Sequence, residues 1–253
     1  MTTVSPLDRR LQAYLRAYAL RLSDHERVGC FLASFDAGSD NPFRNYAVPD
    51  DGAEPTEAEI AALVSAFVRR KRKPRLEYIA AAAPFVEPAL VNAAFEVERR
   101  LPVMTCRRRP LTALSGPHAV FALAQNDADI VQAAEVGASA YGSETPHPDA
   151  LRRLVAQGGV LGIARDSRSG RMIGAGVATP PNEGVTEIVG IGVLSDFRRR
   201  GIAGALTALL AGEAFARGAS LAWLTPGDAS AQRIYARAGF VPASEQLHIS
   251  KPP

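Results

Sequence analysis

"SDFRRRGIAGAL", residues 195–206, is the stretch on which the reading of this chain turns. Arg198, Arg199 and Arg200 run into Gly201, and the segment beyond reads as helix. Ile202, Leu206, Leu209, Leu210 and Phe215 recur at helical spacing up to Arg217, and Gly218 supplies a stop. A helix N-terminus leaves backbone N–H groups without partners and carries about half a positive charge from its dipole. Small residues in the first turn, here Gly201, Ala203 and Gly204, let a bulky anion reach those amides. The stretch is therefore either a cradle for a phosphate or a solvated basic turn.

Its surroundings favour the cradle. Upstream, "PHAVFALAQ" (117–125) reads as a strand and Asn126 or Asp127 as the cap of a helix over "DADIVQAAEVGASAYG" (127–142). A short helix near 148–157 follows, then strands at 160–166 and 171–179 joined by the turn "SRSG", then the strand "TEIVGIGVL" (186–194) that leads into the cradle. Beyond the cradle helix come a strand, "SLAWLTP" (220–226), a helix, "DASAQRIYARA" (228–238), and a closing strand pair around 239–251. Asp129 and Asp166 read as cap and turn residues.

The ordered set of strand, Arg198, Gly201, Ala203, helix, strand, Tyr-bearing helix and Gly-Phe resembles the GCN5-related N-acetyltransferase (GNAT) superfamily over residues 115–253. In that superfamily R/Q-x-x-G-x-G/A holds the pyrophosphate of acetyl-CoA. A later motif, N-x-x-A-x-x-φ-Y-x-x-x-G-F with φ apolar, resembles Asp228, Ala231, Ile234, Tyr235, Gly239 and Phe240 here, with Asp228 in place of the usual Asn. The resemblance implies an α+β, three-layer fold whose mostly antiparallel sheet carries a parallel, splayed central strand pair. It implies acetyl-CoA as cosubstrate, no metal, and a small-molecule or peptide amine as acceptor. The cofactor-binding set would be Val193, Leu194, Arg198, Arg199, Arg200, Gly201, Ile202, Ala203, Gly204, Ala205, Asp228 and Ala231. Within it, the amides near Val193 and Leu194 would polarise the thioester carbonyl.

Acetyl transfer to an amine needs the ammonium deprotonated, because its pKa lies near 10, whereas a departing thiolate tolerates the absence of an acid. Glu187, fourteen residues before Gly201, is the candidate base by its resemblance to the glutamate of the histone-acetyltransferase branch; a solvent-facing strand glutamate is the alternative. Glu187 and Val193 are expected on opposite faces of that strand unless a bulge intervenes, and Gly190 and Gly192 are positions where one fits. Tyr235 matches the superfamily's thiol-protonating tyrosine, or else packs a helix. "YGSETPHPD" (141–149), with Tyr141, Glu144 and His147, lies where the superfamily places acceptor-binding loops.

Residues 1–110 overlay the second half with a constant shift of 145 positions. Phe95 falls on Phe240, Tyr78 on Trp223, Val48 on Val193, and residues 56–70 on the cradle helix. The cradle itself falls on "GAEPTEAE" (52–59), where Pro55 lacks a donor and Glu54, Glu57 and Glu59 would repel a phosphate. Tyr235 falls on Leu90. The fold is thus expected twice, as a degenerate copy over 1–110 and an acetyltransferase domain over 111–253.

A net charge of +3 leaves no coherent basic face. The run "RRKRKPR" (69–75) reads as a solvated helix end, so nucleic-acid binding is not expected. Apolar runs are too short for a membrane span, and the N-terminal stretch lacks the apolar core of a signal peptide. Cys30 and Cys106 have no metal-ligand spacing. A soluble cytoplasmic protein, most readily an acyl-CoA-dependent N-acetyltransferase and otherwise an acyl-CoA sensor, is the expectation.

Overall fold

A computed structural model describes residues 4–21, 24–108, 118–143 and 146–252. The chain divides into two compact units, Met1–Val103 with Ala243–Pro253, and Met104–Pro242. In chain order the elements are α1 (Pro6–Ala19), β1 (Asp24–Val28), β2 (Phe31–Phe35), β3 (Tyr46–Pro49), α2 (Glu57–Arg69), β4 (Arg75–Ile79), α3 (Val86–Asn92) and β5 (Glu96–Arg107). They continue with β6 (Ala119–Leu123), α4 (Asp127–Tyr141), α5 (Pro148–Ala156), β7 (Val160–Asp166), β8 (Met172–Ala178), β9 (Val185–Val193), α6 (Ile202–Ala216), β10 (Leu221–Leu224), α7 (Ala229–Arg237) and β11 (Val241–Ser250). The expected closing strand pair is one strand, β11. Pro242 stands at its second residue, where a missing N–H costs the ladder little.

In the second unit β6, β7, β8 and β9 pair antiparallel in sequence order. β10 then joins β9 parallel, and Met104–Arg107 of β5 pair antiparallel with β10. The parallel register runs only from Val185↔Leu221 to Glu187↔Trp223. β9 continues to Val193 without β10 beside it, so the central pair splays. In the first unit β1, β2 and β3 are antiparallel, β3 meets β4 in parallel at Ala47↔Leu76, and β4 pairs antiparallel with Gln246–Ser250 of β11. A mostly antiparallel sheet with a central parallel pair therefore occurs twice, as the sequence predicts.

The repeat is visible element by element. The series β3–α2–β4–α3–β5 recurs as β9–α6–β10–α7–β11, and the first residues of α2 and α6, Glu57 and Ile202, are 145 apart. Ala94 and Gly239, which the shift superposes, both take positive φ, 62° and 98°.

α6 is apolar on nearly every face because the sheet and its neighbours enclose it. Gly174 brings its first turn down onto β8: a Cβ there would stand 3.1 Å from both Ile202 Cγ2 and Leu206 Cδ1. On the other side of β8, Ala175 and Val177 cluster with Ala133 and Val136 of α4. Asn126 caps α4 by accepting from the Asp129 N–H at 3.0 Å. This sandwich fixes the N-terminus of α6 and the C-terminus of α4 relative to β9.

The basic run of 69–75 is paired within the first unit. Arg69 and Arg70 bind Glu26, Arg70 also binds Asp24, and Lys73 binds Glu98. Arg75 is buried between Glu77 and Glu98, with His248 Nδ1 3.0 Å from its Nη2. No helix among the described residues is long and apolar enough to cross a membrane.

Candidate active site

The splay of β9 from β10 opens a cavity of about 620 Å³ in the second unit. Its floor is the end of β9, including Val193, and its rim is the strand-to-helix turn with Arg198, Arg199 and Gly201. Ile202, Ala203 and Gly204 line it from the first turn of α6, and Asp228, Ala231 and Tyr235 from α7. Ten of the fourteen residues expected at the site therefore share one cavity. Leu194, Arg200, Ala205 and Glu187 are not among its lining residues.

The turn from β9 into α6 leaves its first backbone donors open. Gly201 caps α6 at φ 78°, a left-handed conformation that glycine adopts without strain, and no side chain caps the helix. The first intrahelical bond within α6 runs from the Ala205 N–H to the Gly201 carbonyl at 3.1 Å, so the Ala205 amide is spent. The amides of Ile202, Ala203 and Gly204 precede it and have no carbonyl partner within the helix. Arg199 takes φ 61°, unusual for a side-chain-bearing residue, and its exposed guanidinium stands at the rim. Arg200 turns away, donating to the Asp196 carbonyl at 2.8 Å and stacking on Phe197. Arg198 spans two backbone segments: Nε donates to the Val193 carbonyl at 3.1 Å and Nη2 to the Ala140 carbonyl at 3.0 Å.

Along β9 the register passes from Val177↔Val189 to Ala175↔Gly192, which inserts one residue near Gly190, at φ 63°. Glu187 and Val193, six apart, would share a face of a regular strand. The inserted residue separates them. Val193 packs with Ile202 and Leu206 beneath α6, whereas Val189, of the same parity as Glu187 before the bulge, packs with the α4 cluster. The bulge also sorts the amides. The Leu194 N–H donates to the Ile173 carbonyl at 3.0 Å, so Leu194 is not an available donor. By the alternation of antiparallel ladders, the N–H and carbonyl of Val193 then point away from β8, into the splay.

Tyr235 is half-buried among α6 and β-strand residues. Its phenol is pushed up to about 12, chiefly by burial and further by Tyr141 and Asp228. Asp228 caps α7 as an Asn would, accepting from the Ala231 N–H at 2.8 Å, so the departure from the motif keeps the cap. Of the expected acceptor segment, Tyr141 lines the cavity, His147 precedes α5, and Glu144 lies outside the described residues. Ala140, Ile191, Gly192, Phe197, Ser230 and Arg237 line the cavity without having been expected there, and Ile234 was expected only as the apolar position of the motif. Ser230, Ile234 and Arg237 share α7 with Tyr235 and were within reach of helical spacing. The meeting of Ala140 with Gly192 left no local signal.

Comparison with known proteins matches residues 130–240 to the acetyltransferase (GNAT) family. A GCN5-related N-acetyltransferase from Kribbella flavida is similar over nearly the whole chain, with 25% identity, 98% of this chain and 96% of that one covered, and a TM-score of 0.82. A GCN5-related N-acetyltransferase from Sphaerobacter thermophilus covers 88% of this chain and 76% of its own at 16% identity and a TM-score of 0.65. A tandem GNAT protein from the clavulanic acid biosynthesis pathway shares the fold, at 11% identity and a TM-score of 0.59, over 88% of this chain and 79% of its own. No curated protein matches the sequence.

Proposed function

We propose that the second unit is an acyl-CoA-dependent N-acetyltransferase that joins donor and amine in one cleft and transfers the acetyl group directly. The observation that carries this reading is the uncapped N-terminus of α6 opening on the cavity of the splay. A diphosphate fits there: the amides of Ile202, Ala203 and Gly204 are donors without helical partners, the dipole adds to them, and Arg199 stands at the rim. Acetyl-CoA, when bound, supplies the thioester and the thiol leaving group.

The chain's own groups then divide the work. The Val193 N–H donates to the carbonyl oxygen as negative charge develops on it. The Tyr235 phenol, kept protonated by its raised pKa, gives its proton to the departing sulfur. Glu187 is the proposed base. Standing on the α4 side of β9, it takes a proton from an amine that enters on that face. Holding both reactants in register supplies much of the rate.

A second reading is favoured by one observation. Among the described cavity-lining residues Asp228 is the one carboxylate, and it serves as the cap of α7. An acyl-CoA sensor would keep the cradle and lack turnover. Incubation with acetyl-CoA and a panel of amines, followed by free thiol, separates the two. Amine-dependent thiol release is expected; binding without release would establish the sensor.

A further inference from the structure

The first unit has a splay of its own. β3 and β4 meet in parallel only at Ala47↔Leu76, and beyond that pair the two strands part. Pro49 ends β3 and Ile79 ends β4, and both are buried where the parallel ladder no longer joins their backbone groups. Buried main-chain groups need partners. Here both partners come from Gln12 of α1, itself fully buried. Its Nε2 donates to the Pro49 carbonyl at 2.8 Å, and its Oε1 accepts from the Ile79 N–H at 2.9 Å. Arg16, one turn further along α1, donates from Nη1 to the same Pro49 oxygen at 3.3 Å and pairs with Asp51.

A carboxamide that gives an N–H to one strand and its oxygen to the next does what a peptide unit of an intervening strand would do. We infer that the splay of the first unit is a seat for an amide and that Gln12 fills it from within, so that this copy of the fold carries its own ligand. The seat selects by chemistry. Pro49 needs a donor and Ile79 an acceptor; a carboxylate lacks the first and an ammonium lacks the second. Burying a carboxamide is costly unless both of its ends are bonded. Leu11, Leu15 and Ala19 make the rest of that helix face apolar, so packing alone gives no reason for a glutamine. Both bonds lie within the first unit, and the seat stands whatever the second unit catalyses.

In the second unit the matching helix position is small. Ser5 and Asn126 cap α1 and α4 in the same way, each accepting from the N–H three residues on. Seven residues after those caps stand Gln12 and Ala133. Ala133 belongs to an apolar cluster with Leu161 and Ala175, and its methyl group cannot bridge two parting strands.

The test uses the full chain. In the wild type, the Gln12 side-chain NH₂ protons should exchange with solvent at least about 100-fold more slowly than those of an exposed glutamine, because exchange requires the seat to open. Gln12→Ala empties the seat and should lower Tm by about 5 °C or more. Acetamide matches the atoms removed. It should restore at least about half of the lost Tm in Gln12→Ala and leave the wild type unmoved. Acetate, which has no donor for Pro49, should restore nothing. Gln12→Leu, which fills the space without an amide, should lose stability and gain nothing from acetamide. Two results would overturn the inference: Gln12 NH₂ exchange as fast as that of an exposed side chain, or an acetamide response in Gln12→Ala no larger than in the wild type and in Gln12→Leu. Should neither variant fold, the wild-type exchange rates carry the test.

Discussion

α2 and α6 are the same helix in two copies of one fold, and their first turns have opposite chemistry. Both follow the first strand of a parallel pair, and both lead back into the second. α2 is closed by its own side chains. Thr56 Oγ1 accepts from the Glu59 N–H at 3.2 Å, and Glu59 Oε2 accepts from the Thr56 N–H at 2.9 Å, a reciprocal capping box. The backbone and hydroxyl of Thr56 hold the Glu59 carboxyl below its ordinary range. Gly29 makes room for that carboxylate, since a Cβ there would stand 2.2 Å from Glu59 Oε1. α6 has Gly201 where α2 has Thr56 and Gly204 where α2 has Glu59, so its end stays open. The lesson is that a helix N-terminus demands an anion or acceptor. α2 supplies an acceptor from its own sequence, whereas α6 leaves its first amides open, as the proposed diphosphate site requires.

The largest effect is expected from transplanting the closed end. Gly204→Glu places the residue of α2 at the matching position of α6, where its carboxylate competes for the amides and repels a diphosphate. CoA affinity should fall by at least about 100-fold in calorimetry, from charge repulsion and lost donors together. An affinity within a few-fold of wild type would detach the cradle from phosphate binding.

Tyr235→Phe comes next. It removes the proton donor while keeping the ring, and kcat should fall by about tenfold to 100-fold with the CoA Kd unchanged. Because the phenol sits near 12, its raised pKa keeps it protonated, and the wild-type rate should show no alkaline decline from this group up to about pH 10. A basic limb that moves in Tyr235→Phe would show instead that the residue titrates in the working range.

Arg199→Ala should weaken CoA by about threefold to tenfold and flatten the dependence of Kd on salt, as expected for an exposed cation facing a diphosphate. The smallest effect falls in the first unit. Thr56→Ala should cost about 1 kcal/mol of stability, read as a lower Tm or denaturant midpoint, and should confer no affinity for CoA. The Glu59 side of the box has a definite pH sign. Its folded pKa is depressed, so its contribution is present above the unfolded carboxylate value and is lost as pH falls through the folded one.

Much of this was legible in the chain. The cradle, the Tyr-bearing helix and the 145-residue repeat follow from local residue types in fixed order, which is where propensity, capping and spacing speak most directly. The acidic stretch 52–59 was readable as hostile to phosphate, though not as a seat that Glu59 itself occupies. What the sequence left out depends on hydrogen-bond parity and on distant approach. One inserted residue near Gly190 decides that Glu187 and Val193 face opposite sides, and ladder register decides that the Leu194 amide is spent while that of Val193 is not. The bond from Tyr141 to Ile191 joins residues fifty apart through the packing of α4 against the sheet, which no local pattern encodes.

The most direct measurement compares the two helix ends in one experiment: amide hydrogen exchange with and without saturating CoA, followed in peptides covering 199–207 and 54–62. Slowed exchange is expected in the first and none in the second. Unchanged exchange across 199–207, or equal protection at both ends, would contradict it.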